Sequence, residues 1–312
     1  MPVKPDRREF LKTSLATAAT VVAGGPASIL APELARGQEV PGLVVCRGTS
    51  PAAMTRAAVD ALGGVKRFVK PGNKVIIKPN MSFDRAPGEG SNTHPEVVAE
   101  LARMCVEAGA AKVSVLDNVL RDPHGCLTMS QIPAACRQIP KTVVSNVQAR
   151  RLFREVKVPN GSQVKSMEVI SDVLDADVLI AAPVGKSHGS SVVSLSMKGM
   201  MGLIYDRRSF HGRFDLHTAV VDMCSVLKPK LVVIDGTNIL STGGPGGPGK
   251  VIPLNLMIAS TDMVAADAQM VALGTWYDRK IKPEEVGHIR IAAQRGLGRM
   301  DLDRLSVKNI QV

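Results

Sequence analysis

Two lysines, two arginines and two histidines fall within 26 residues of one segment: Lys186, His188, Lys198, Arg207, Arg208 and His211. Ammonium and guanidinium groups form charge-assisted hydrogen bonds, so such a set suits a carboxylate or a phosphate. Histidine exchanges protons near neutral pH and is the commonest metal ligand. Gly189, Gly199 and Gly202 interrupt the segment. Glycines let the backbone, and its N–H groups, approach a bound anion. Lys186 and His188, which follow an apolar run directly, are the catalytic candidates. Lys198, Arg207, Arg208 and His211 are candidates for holding substrate or another anion. A solvated basic loop is the plain alternative.

Other polar groups occupy comparable places. Lys78 and Asn80 close one apolar run, Asp117 and Asn118 another, and Asp235 and Asp262 two more. Lys78, Asn80 and His94 join the anion-binding candidates, and Asp117, Asp235 and Asp262 are expected to support them. His94, His188 and His211 are also the candidate ligands if a metal is bound. Gly243–Gly249 reads Gly-Gly-Pro-Gly-Gly-Pro-Gly. It matches neither the P-loop nor the dinucleotide-binding pattern and is read as an anion-approaching loop or a plain connector.

The elements that must position these groups alternate in period. Gly42–Cys46, Lys74–Lys78, Lys112–Leu116, Asp177–Ala182, Leu231–Ile234 and Leu254–Ala259 are short runs dominated by Val, Ile and Leu, expected as strands. Ser50-Pro51 and Thr93-His94-Pro95-Glu96 read as helix starts, the second as a capping box with Thr and Glu three apart. Val97, Val98, Leu101, Met104 and Cys105 then share one helix face, which stops at Gly109. Strand–helix alternation implies a mostly parallel sheet flanked by helices, an α/β, Rossmann-like three-layer fold in a single domain. Residues 121–170 fit this pattern poorly and are expected as a small insertion. Ligands of such sheets bind beyond the carboxyl ends of the strands, where the polar groups gather.

In order along the chain stand Ile77-Lys78-Pro79-Asn80, Thr93-His94-Pro95-Glu96, Gly109-Ala110, Lys186-Ser187-His188, Ser194 to Gly199, Arg207 to His211, Asp235-Gly236, Gly244-Pro245 and Ser260 to Asp267. This order resembles the family named domain of unknown function 362, over roughly Val44 to Gln311. The resemblance implies an α/β domain whose members are sometimes iron–sulfur proteins. Their cluster usually lies in an attached ferredoxin-like Cys-x-x-Cys module, and this chain has none. The family name assigns no reaction.

The five cysteines, at 46, 105, 126, 136 and 224, form no Cys-x-x-Cys pair. Cys105 and Cys224 fall on apolar helix faces and read as core. Cys126 and Cys136 are left open between a disulfide and metal ligation. Of the remaining histidines, His124 and His288 read as surface residues. His217 belongs to a helix packed below the basic segment.

The N-terminus reads Asp6-Arg7-Arg8-Glu9-Phe10-Leu11-Lys12, followed by a short Ala- and Thr-rich apolar stretch. This resembles a twin-arginine signal peptide spanning residues 1–37, with cleavage before Gln38. The expected consequences are passage through the twin-arginine translocase and a periplasmic or otherwise extracytoplasmic location. No transmembrane span is expected in the mature chain.

The chain holds 39 Lys and Arg against 28 Asp and Glu, net +11. Residues 1–37 contain five of the basic and three of the acidic groups, which leaves the mature part at net +9. With aromatic residues at 3%, no stacking platform accompanies the charge, so nucleic acid is excluded as the expected partner. A small anionic ligand fits the charge better. The sequence therefore points to an exported enzyme acting on an anionic small molecule. A metal- or iron–sulfur-associated redox accessory protein, with a redox partner, is the first alternative. A non-catalytic binding protein for an anionic solute is the second.

Overall fold

The computed structural model describes residues 42–312. The expected signal segment and its cleavage point lie outside the described residues. The strands are β1 (Leu43–Arg47), β2 (Lys74–Pro79), β3 (Lys112–Asp117), β4 (Thr142–Asn146), β5 (Phe153–Lys157), β6 (Ser166–Ile170), β7 (Val178–Ala182), β8 (Val184–His188), β9 (Val192–Ser194), β10 (Leu231–Leu240), β11 (Val251–Ser260) and β12 (Val307–Gln311). The helices are α1 (Pro51–Ala61), α2 (Pro95–Glu107), α3 (Pro123–Ser130), α4 (Ile132–Cys136), α5 (Ser171–Leu174), α6 (Ser196–Gly199), α7 (Arg207–Gly212), α8 (Leu216–Cys224), α9 (Met263–Leu273) and α10 (Gly287–Gln294).

The main sheet runs β12-β1-β11-β10-β7-β2-β3-β4. From β10 to β4 every pairing is parallel. β11 is antiparallel to both of its neighbours. The fold is thus the expected α/β arrangement, a mostly parallel mixed sheet flanked by helices. Residue alternation builds its two faces. Leu43, Val45, Ile76, Val232, Ile234 and Ile258 pack on one side with α8, α9 and α10. Val44, Cys46, Val75, Ile77, Val233 and Met257 pack on the other with α1 and α2. The β-branched runs are buried on both faces, which explains their near-continuous apolar character.

The poorly patterned stretch 121–170 divides. Its first part supplies α3, α4 and β4, the edge strand of the main sheet. Its second part is a separate antiparallel pair, β5–β6.

Three local expectations change. The residue that caps α2 is His94, whose ring accepts from Glu96 N, and not Thr93. The Thr93 hydroxyl instead accepts from Asn80 N and donates to the Ala182 carbonyl, tying the ends of β2 and β7 together. β10 continues to Leu240 through a bulge beyond Gly236, where Asp235-Gly236 suggested a stop. Space decides this: a Cβ at Gly236 would stand 2.6 Å from Leu256 Cδ1 and 3.0 Å from its carbonyl oxygen. Lys186 and His188 lie within a short strand, β8, rather than in a loop. β8 pairs with that extension of β10, Lys186 opposite Leu240.

Candidate functional site

β2, β3 and β7 are adjacent and parallel, so their carboxyl ends share one edge of the sheet. A cleft of about 800 Å³ opens there. Lys78 and Asn80 reach it from the end of β2, and Asp117 from the end of β3. Lys186 and His188 reach it from β8, and Lys198 from α6. Arg207, Arg208 and His211, on α7, complete the cationic lining. Six groups of the basic segment, separate in sequence, thus meet two strand ends from the first half of the chain.

Backbone architecture aims these groups. Buried Asp267 on α9 accepts from Ser196 N, Ser196 Oγ and Met197 N, at 2.8, 2.6 and 3.0 Å, and so fixes the start of the turn bearing Lys198. Asn80 Oδ1 accepts from Val184 N and sets β2 against β8. Gly202 passes so near the Lys78–Asp117 pair that a Cβ there would stand 2.8 Å from Lys78 Nζ and closer still to the Asp117 carboxylate. The Arg207 guanidinium is spent largely on the protein. It donates to the carbonyls of Asn118 and Val119 and to Asn118 Oδ1.

Positive charge exceeds negative charge at the buried end. Lys78, Lys186 and Lys198 are 2%, 2% and 7% exposed. One buried carboxylate faces them: Asp117, whose Oδ1 is 3.2 Å from Lys78 Nζ. Its other oxygen accepts from Met81 N and Ser82 Oγ. Lys186 Nζ donates to the Ser91 carbonyl at 2.6 Å and sits 5.2 Å from the centre of the Phe83 ring. Lys198 Nζ is 3.5 Å from His211 Nε2.

Burial without counter-charge disfavours the protonated form. The Lys186 ammonium is drawn down to about 7, chiefly by burial and then by Lys78. Lys198 is drawn to about 7 by burial, Arg207 and Lys78. Burial also lowers Lys78, with Asp117 opposing. His188 falls to about 3, through burial and then Lys198 and His211. Its Nδ1 accepts from Ser190 N and Ser191 N, so the neutral ring carries its proton on Nε2. The rings of His188 and His211 stack with centres 5.7 Å apart.

Three expected site residues belong elsewhere. Asp235 is 1% exposed and accepts from His94 N, Thr237 N and Thr237 Oγ1, so it joins β10 to the start of α2. Asp262 caps α9 through Val264 N and Ala265 N and also accepts from Arg299 N. His94 caps α2 and is not part of the cleft lining. Among the described residues no three His, Cys, Asp or Glu side chains stand together as metal ligands. The five cysteines are buried free thiols, with Cys126 and Cys136 unpaired. The donor set present here therefore does not fit an iron–sulfur cluster.

His288, expected at the surface, is fully buried and stacks on His217 with ring centres 5.5 Å apart. The lining also includes residues the sequence did not single out. Ser82, Phe83, Leu120, Met201, Tyr205 and the Arg150–Glu168 pair are among them. None sits in a motif, and the ion pair, Arg150 just before β5 and Glu168 on β6, lay in the poorly patterned stretch.

Fold and cleft together define an α/β domain with a buried cationic site at the strand ends. The chain belongs to the family described as domain of unknown function (DUF362), whose model matches residues 75–272. It is similar to the thylakoid-associated protein sll1697 of Synechocystis, with 26% identity over 225 residues, 69% of this chain and 67% of that protein. Among solved structures it matches the lactate racemase apoprotein of Thermoanaerobacterium thermosaccharolyticum, with TM-score 0.48 and 10% identity. That match covers 74% of this chain and 57% of the racemase chain.

Proposed function

We propose that this protein is an enzyme that binds a small anionic substrate in the cationic cleft and moves a proton there. The observation that carries the reading is one of charge: Lys78, Lys186 and Lys198 are buried around the single carboxylate of Asp117. A bound carboxylate or phosphate supplies the missing negative charge and accepts hydrogen bonds from the ammonium groups. Lys186 and Lys198, both near 7, exchange a proton readily at neutral pH, as a general acid or base must. His188 stays neutral there and offers its Nε2–H as a fixed donor that orients the substrate. Arg208 and His211 guide the anion inward.

Two measurements test this. Sulfate should raise the melting temperature by mass action, and Lys198→Met should weaken the response. Candidate carboxylic acids incubated in deuterated water should exchange a carbon-bound proton, and Lys186→Met should abolish that exchange. Anion binding with no turnover of any kind would favour the solute-binding alternative. No anion response at all would remove the anion site and with it the proposed function.

We also propose export through the twin-arginine route, supported by Arg7-Arg8 with Phe10-Leu11 behind them. Replacing both arginines by lysine should retain the protein in the cytoplasm with its fold intact. Normal export of that double variant would refute the assignment.

A further inference from the structure

The cleft is larger than a bare anion needs, and its two ends differ in chemistry. A drug-sized ligand occupies a pocket of roughly 300–1,000 Å³, and this one is about 800 Å³. The buried end carries Lys78, Lys186 and Lys198 around one carboxylate. The mouth is close to charge-balanced. Arg150 pairs with Glu168 there, and Asp206 lies beside Arg208. Apolar surface stands between these charges. Leu120 is 55% exposed and Tyr205 37% exposed, and both line the cleft. Phe83 and Met201 continue that surface toward the lysines, and Pro245 of the glycine-rich loop adds to it. Arg150 lies 5.5 Å from the centre of the Tyr205 ring, and Phe153 meets that ring edge-on at 5.2 Å, so the ring is held as a wall. An exposed leucine and a braced tyrosine lining one cleft are surface that a ligand would cover.

We propose that the substrate is an amphipathic anion, with a carboxylate or phosphate head among the lysines and an apolar or aromatic body against Leu120, Met201 and Tyr205. This rests on the proposed function above, since the head occupies the same lysine cluster. The body takes apolar surface out of water, and that burial adds affinity the head alone cannot provide.

The test compares ligands that share a head. Calorimetry would measure acetate against 3-phenylpropanoate, both fully ionised at pH 7, and methyl phosphate against phenyl phosphate. The arylated member of at least one pair should bind about tenfold more tightly or better, as expected for burying a ring. The pair that shows the larger gain identifies the head. Leu120→Ser, a change at an exposed position that leaves the core untouched, should cut the gain to roughly threefold or less. Lys186→Met should weaken both members of the pair alike. Equal affinity within both pairs would overturn the amphipathic assignment while leaving the anion site standing. An unchanged gain in Leu120→Ser would overturn the placement of the body at the mouth. Failure of all four ligands to bind would remove the anion site itself, and this inference with it.

Discussion

Polar side chains close several apolar runs of the sheet strands, but two regions of the molecule use them differently. At β2 and β8 the lysines keep charge that the protein does not neutralise. Lys186 has one backbone carbonyl, and Lys78 has the Pro79 carbonyl and Asp117, the one buried carboxylate for three buried lysines of the cleft lining. At β10 and β11 the carboxylates are fully committed. Asp235 takes three donors, and Asp262 takes three backbone N–H groups. A polar residue closing an apolar run is common to both regions, yet Asp235 lies within the extended β10, and Asp262 follows the antiparallel β11 at the opposite edge of the sheet from the cleft. What separates them is whether folding consumes the group's hydrogen-bonding and charge capacity. A group fully used by the backbone holds the fold, and one left with surplus charge in a cleft is available to a ligand.

Removing Asp235, the buried one of the two committed carboxylates, should cost the most. Asp235→Ala leaves two buried donors and one half-buried donor without an acceptor and should destabilise the fold by on the order of 3 kcal/mol. Denaturant melts would measure this, and a cost below 1 kcal/mol would deny that Asp235 is structural. Next comes the lysine cluster itself. Gly202→Ala drives a methyl group into the Lys78–Asp117 pair. It should cost about 2 kcal/mol and abolish the sulfate response. Retained sulfate binding in that variant would separate the pair from the site. The smallest effect belongs to Asp262→Ala, a lost helix cap worth about 1 kcal/mol, with sulfate binding unchanged. A loss of sulfate binding there would return Asp262 to the site.

The core strands were readable because β1, β2, β3, β7, β10 and β11 are runs of apolar residues buried on one or both faces. β8 was not, because Val-Gly-Lys-Ser-His has the composition of a loop. It is a strand only because the bulged extension of β10 stands beside it, a tertiary cause that local pattern does not carry. The lysines and histidines of the cleft were legible through clustering in sequence. The backbone roles of Asp235 and Asp262 were not legible, since an aspartate closing an apolar run looks alike whether it meets a ligand or a backbone N–H. Leu120, Met201 and Tyr205 gave no signal, because apolar residues acquire meaning only once the fold shows which of them face a cleft.

The central claim is that buried ammonium groups at the β2 and β8 ends lack a counter-charge that an anion supplies. The direct test is the melting temperature from pH 6 to pH 9, without and with sulfate, whose charge is constant over that range. Lys186 and Lys198 are lowered in the folded protein to about 7 from an ordinary 10.5. Between those values these two groups bind more protons in the unfolded chain than in the folded one, so they make stability rise with pH, while the buried cysteines, whose thiols burial pushes above their ordinary 9, oppose the rise toward pH 9. Below about 7 both states are protonated, and the full cost of the buried charges remains. The ligand-free protein should therefore melt at higher temperature as pH rises from 6 to 9, while the added stabilisation from sulfate shrinks, because the groups that bind it lose their protons. Lys186→Met and Lys198→Met should each flatten both trends. A sulfate effect that is absent, or that stays constant across this range while both lysines are present, would contradict the account.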